Sequence, residues 1–152
     1  DESAKVPLII SVPGKKPSVC NSFVELLDLY PTLSSLCGLP KQDRLQGKDI
    51  SLMLDDPSYE VREEAFCVAP MRTGFLLRNK KWAFIQYGEK LPTKLKGGFE
   101  HGRNGIELFD MEKDPQQFTN LADTVECQPV VESFRKKLKD KLIAIRKNDL
   151  LN

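Results

Sequence analysis

Ile106-Glu107-Leu108-Phe109-Asp110-Met111-Glu112-Lys113-Asp114-Pro115-Gln116-Gln117-Phe118-Thr119-Asn120-Leu121-Ala122-Asp123 is the stretch on which the reading of this chain turns. Its first five residues alternate, with Ile106, Leu108 and Asp110 toward one side and Glu107 and Phe109 toward the other, as in a short strand. Asp114-Pro115 stops the run, because proline has no N–H for a ladder and biases the residue before it toward extended geometry. Asp114 is expected to brace its own turn. Leu121 can then tuck the chain back onto a core. The stretch therefore reads as a strand that ends in a pinned polar turn.

Upstream lie three more short runs of aliphatic and aromatic residues, Ala65–Ala69, Gly74–Arg78 and Trp82–Tyr87. Asn79-Lys80-Lys81 is a tight connection between the second and third, so an antiparallel hairpin is the economical arrangement. Downstream, Val131, Phe134, Leu138, Leu142 and Ile145 form one apolar stripe, which predicts an amphipathic helix over about Pro129–Lys147. One such helix on a four-stranded antiparallel sheet is a two-layer α+β solution.

The first sixty residues read differently. Val6-Pro7-Leu8-Ile9-Ile10-Ser11-Val12 is a continuous apolar run of the kind found in strands buried on both faces of a parallel sheet. No strand or crossover helix precedes it, so a fragment of a longer protein is expected. A single turn is predicted near Phe23–Leu27, then a helix over about Leu29–Cys37 with Pro31 in its first turn. Asp28 is the expected cap and Gly38 the left-handed terminator. Leu45 to Leu54 reads as a turn and a short helical segment, broken by Asp55-Asp56-Pro57. The expected division is 1–60, carrying the edge of a larger α/β domain, and 61–152, a small C-terminal subdomain.

Composition narrows the function classes. The 152 residues carry 23 basic and 22 acidic side chains, a formal charge of +1, which supplies no field for steering nucleic acid. The basic run Arg135-Lys136-Lys137-Leu138-Lys139 reads as a solvated helix face. No apolar run approaches the ~20 residues a membrane-spanning helix needs. Cys20, Cys37, Cys67 and Cys127 form no C-x-x-C pair and lie far in sequence from the single histidine, His101, so a zinc site is not expected. Small buried thiols are the expectation, with disulfides open if the protein is exported.

Four segments besides the opening stretch point to one family. Ile106 to Ala122 resembles the E-L-[YF]-D-x-x-x-D-P-x-[EQ]-x-x-N-L-[AG] segment near the end of sulfatases. Glu2 to Gly14 resembles the family's E-[ST]-x-[RK]-V-P-L-I-x-x-x-P-G strand. Asp28-Leu29-Tyr30-Pro31-Thr32-Leu33, ending at Leu36-Cys37-Gly38, is similar to its D-L-x-P-T-L-x-x-L-x-G helix. Gly47 to Leu54 is similar to G-x-S-L-x-P-L-L, although Asp49-Ile50 replaces Ser-Leu and Met53 the proline. Arg72-Thr73 with Lys81-Trp82-Ala83-Phe84-Ile85 resembles the V-R-T … K-[YW]-x-[YF]-I hairpin. All five occur in the family's order, with a flavour nearest the iduronate-2-sulfatase-like branch of the arylsulfatases.

The resemblance implies a parent of the alkaline-phosphatase-like type that hydrolyses sulfate esters of carbohydrates. In such a parent an N-terminal domain holds calcium and a formylglycine made from C/S-x-P-S-R. In this chain Cys127-Gln128-Pro129 begins that motif, but Val130-Val131 stand where Ser-Arg is needed. The fragment is therefore expected to hold neither calcium nor formylglycine, to be inactive alone, and to have the missing N-terminal catalytic domain as its partner. Export to a periplasmic, extracellular or lysosomal compartment is the family habit.

Residues that could touch a sulfated substrate are sought in Gly88–Gly105, where five glycines and one proline in 18 residues argue for a long excursion. His101 and Arg103 are the candidates, since arginine binds sulfate or carboxylate bidentately. Incidental charges on a solvated loop are the competing reading. Arg72 reads as a structural ion pair. Glu107, Asp110 and Asp114 do not make a glycosidase site, because Glu107 and Asp110 sit at odd spacing on one strand. The rival to a sulfatase fragment is a stand-alone α+β binding module, in which Val6–Val12 would be covered by its own chain. In the fragment reading an apolar face stays uncovered and drives dimerisation or partner binding.

Overall fold

The computed structural model describes residues 4–68, 74–87 and 105–146. The chain forms two compact units, 1–65 and 66–152, with the boundary inside the first strand. Strands β1 (Glu64–Val68), β2 (Gly74–Asn79), β3 (Trp82–Tyr87) and β4 (Ile106–Asp110) make a single sheet in the order β1-β2-β3-β4. The β2–β3 and β3–β4 pairs are antiparallel, with Leu77 opposite Phe84 and Phe84 opposite Leu108. Helix α1 spans Leu29–Leu36 and helix α2 spans Gln128–Arg146. The α+β architecture read from the sequence is present.

In the second unit the sheet separates its side chains by parity. Leu77, Phe84, Ile106 and Leu108 share a core with Val131, Phe134 and Leu138 of α2. Phe84 and Phe134 stack with centroids 5.4 Å apart, and Phe66 and Phe75 stack at 6.2 Å. The opposite parity carries Ala83, Phe109 and Met111, with Leu76 and Ile85 against them. The β2–β3 turn contains no left-handed residue at Lys80 or Lys81, so it is not the primed type that such hairpins usually need. Instead the Asn79 Oδ1 accepts the N–H groups of Lys81 (3.0 Å) and Trp82 (2.7 Å). The side chain does the work that turn geometry otherwise does.

The first unit departs from expectation in three places. Val6–Val12 is not a strand: it makes no ladder among the described residues, and Ile9 is 90% and Val6 62% exposed. A strand exists only through its neighbours' N–H and C=O groups, and no described residue supplies them. The turn before α1 lies at Leu26–Asp28, slightly later than expected, and is a 3-10 turn. Asp28 precedes α1 but makes no side-chain cap to it. The helix end follows the prediction: Gly38 sits at φ 66, with its N–H on the Ser35 carbonyl and the Leu39 N–H on that of Ser34, a Schellman arrangement. The four cysteines are free, and Cys37 and Cys67 are exposed where buried thiols were expected. Cys37 caps the C-terminal end of α1, and Cys67 lies within β1, one residue before its end.

The Asn120 side chain accepts the Leu108 N–H and donates to the Ile106 carbonyl, so Asn120→Ala should lower the stability of the second unit by about 2–3 kcal/mol by leaving these partly buried groups of β4 without partners. Chemical denaturation followed by Trp82 fluorescence measures this.

Candidate functional site

Three polar constellations stand out among the described residues. The first is built on the turn that leads into α1. Asp28 is wholly buried and its carboxylate accepts from the Glu25 N–H (2.7 Å), the Lys48 N–H (2.8 Å) and both terminal nitrogens of Arg62. Arg62 Nε also faces Glu25 at 3.7 Å. One turn later on the same helix face, the Thr32 hydroxyl donates to the Asp28 carbonyl (2.6 Å) and accepts the Ile50 N–H (3.0 Å). Gly47 is required where its segment passes the turn, because a Cβ there would lie 1.9 Å from the Leu27 carbonyl oxygen.

Burial alone would raise the Asp28 carboxyl, but the Arg62 hydrogen bond and the Lys48 and Glu25 N–H groups outweigh it and hold the group below its ordinary 3.8. Arg62 is likewise pulled down by burial, and its Asp28 and Glu25 partners more than restore it. A carboxylate enclosed by four donors has no room for a substrate. This constellation fastens the helix to the Gly47–Ile50 segment and is structural. Neither Arg62 nor Lys48 was singled out from the sequence, because 34 residues separate Arg62 from Asp28 and no local spacing announces the pair.

The second constellation is the turn after β4. Asp110 Oδ1 accepts the Glu112 (3.1 Å) and Lys113 (3.2 Å) N–H groups. Asp114 Oδ2 accepts the Thr119 N–H at 2.7 Å, the brace expected of it. Gln117 adopts φ 62 within that turn. Glu107 lies opposite Ile85 and Asp110 opposite Trp82, and those two neighbours belong to different apolar clusters. The carboxylates therefore face opposite sides of the sheet and cannot act on one bond.

The third lies at the far end of the hairpin. Tyr87 pairs with Gly74, and its N–H meets the Gly105 carbonyl at 2.8 Å. Burial, then the carboxylate of Glu107, pushes the Tyr87 phenol up to about 12. The phenol stays protonated and donates to that carboxylate. Segments 69–73 and 88–104 are both anchored at this end of the sheet, at Gly74, Tyr87 and Gly105. His101, Arg103 and Arg72 fall on those segments, outside the described residues.

No group of three histidine, cysteine or carboxylate side chains among the described residues could hold a metal. The buried or turn-forming carboxylates Asp28, Asp110 and Asp114 are committed to guanidinium and backbone donors. These residues do not fit calcium. No helix among the described residues is long and apolar enough to cross a membrane.

With that geometry in view, similarity to known proteins is informative. Residues 1–147 match the family model described as N-sulphoglucosamine sulphohydrolase, C-terminal. Arylsulfatase K of Gallus gallus is 27% identical over 150 residues, covering 90% of this chain and 25% of the relative. The ulvan-active sulfatase of Formosa agariphila is 28% identical over 153 residues, covering 93% and 27%. The phosphonate monoester hydrolase of Silicibacter pomeroyi superposes with a TM-score of 0.68 at 17% identity, covering 88% of this chain and 28% of that one, a likeness of fold alone. The chain thus spans about a quarter of the length of the curated relatives it matches.

Two measurements test the polar groups. Arg62→Met leaves Asp28 buried without its cation and should cost about 3–5 kcal/mol at neutral pH. Because the folded Asp28 carboxyl lies below its unfolded 3.8, its contribution is complete above that pH and is lost as pH falls through the folded value. The gap between wild type and Arg62→Met, read from urea unfolding, should therefore narrow below pH 3.8. Ultraviolet difference titration should place Tyr87 near 12, and Glu107→Gln should lower it by removing the negative neighbour.

Proposed function

We propose, from the premise that the chain belongs to the family of C-terminal domains of N-sulphoglucosamine sulphohydrolase, that it is the C-terminal portion of a sulfatase acting on sulfate esters of carbohydrate. The observation that carries this reading is the family match over residues 1–147, on a chain a quarter the length of its sulfatase relatives. A carbohydrate substrate is supported by the amino sugar in the family's description and by the relative named for activity on ulvan. In this reading the catalytic residues, the calcium and the formylglycine belong to a preceding N-terminal domain, and the enzyme is exported to a periplasmic, extracellular or lysosomal compartment. The role of this portion is structural and selective. It covers the catalytic domain, and His101 and Arg103, which lie outside the described residues, are the anion-binding side chains.

The first unit supports the need for a covering domain. Val6, Ile9, Leu26, Tyr30 and Leu33 are each more than half exposed, which is more apolar surface than a free-standing unit usually leaves to water. A stand-alone binding module would cover Val6–Val12 with its own chain, and the described residues do not. A second copy of the chain is the other occupant this surface admits.

The expected outcome is plain. The 152-residue chain alone should not hydrolyse an aryl sulfate, whereas the polypeptide with its N-terminal domain should. In that longer protein, Arg103→Ala and His101→Ala should raise KM for a sulfated saccharide about tenfold or more, as the loss of a charge-assisted contact predicts, while kcat changes little. Turnover by the isolated chain would overturn the assignment of catalysis to the N-terminal domain. Sedimentation of the isolated chain distinguishes a self-associated dimer from a monomer.

A further inference from the structure

We draw no further inference here: the strongest candidate, the exposed apolar side chains Val6, Ile9, Leu26, Tyr30 and Leu33 of the first unit, is the surface on which the proposed function already seats the N-terminal domain, and nothing in the structure shows what else covers it.

Discussion

The outer edge of β4 must have its backbone groups satisfied, and the second unit is arranged around how this is done. An open strand edge exposes N–H and C=O groups that invite pairing with another chain. Here one side chain serves in place of a strand. The Asn120 Oδ1 accepts the Leu108 N–H at 3.0 Å, its Nδ2 donates to the Ile106 carbonyl at 3.3 Å, and the Leu121 N–H meets the Leu108 carbonyl at 2.8 Å. The same Oδ1 accepts the Ala122 N–H at 2.9 Å. This brings the chain back along β4 and aims it at α2, where Gln128 Nε2 returns a bond to the Ala122 carbonyl at 2.7 Å. Asp110 and Asp114 shape the turn that makes the reversal possible. Three polar side chains of one motif therefore decide where the strand ends and where the helix over the sheet begins.

The first unit solves a different problem with different chemistry. Its helix has only eight residues, too few to be stable by itself. It is held by Asp28 and Thr32, spaced four apart so that both meet the neighbouring Gly47–Ile50 segment from one face. A buried carboxylate is costly unless it is fully paired, and Asp28 is paired with a bidentate guanidinium and two backbone donors. Gly47 fits the same contact from the other side. The conspicuous positions of D-L-x-P-T and L-Q-G-K-D-I are thus two halves of one junction.

These assignments bear on function by subtraction. The acidic residues most conspicuous in the sequence turn out to be braces, and the arginine buried beside them neutralises one of those braces. Chemistry on a sulfate ester needs cations and a nucleophile arranged around the anion, whereas Asp28, Asp110 and Asp114 are occupied by guanidinium and backbone donors of the chain itself. The sheet's Gly74–Tyr87–Gly105 end is different. There the Tyr87 phenol meets the Glu107 carboxylate, and His101 and Arg103 lie in the neighbouring sequence, outside the described residues.

How much was legible in the sequence follows from the range of each interaction. Strands β2 to β4, the stripe of α2, the Gly38 terminator and the Asp114 brace rest on neighbours within a few residues, and periodicity or turn chemistry reveals such contacts directly. The family resemblance was legible for the same reason, since its motifs are these local devices. Val6–Val12, read as a strand of a larger sheet, makes no ladder among the described residues, because an apolar run only signals that burial is wanted. Whether it becomes a strand depends on partners that a local pattern cannot name. The exposure of Cys37 and Cys67, the Arg62–Asp28 pair and the obligatory Gly47 were decided by the tertiary structure alone. Each depends on which distant segments meet, and hydrogen-bond geometry and steric exclusion act only once the chain has brought them together.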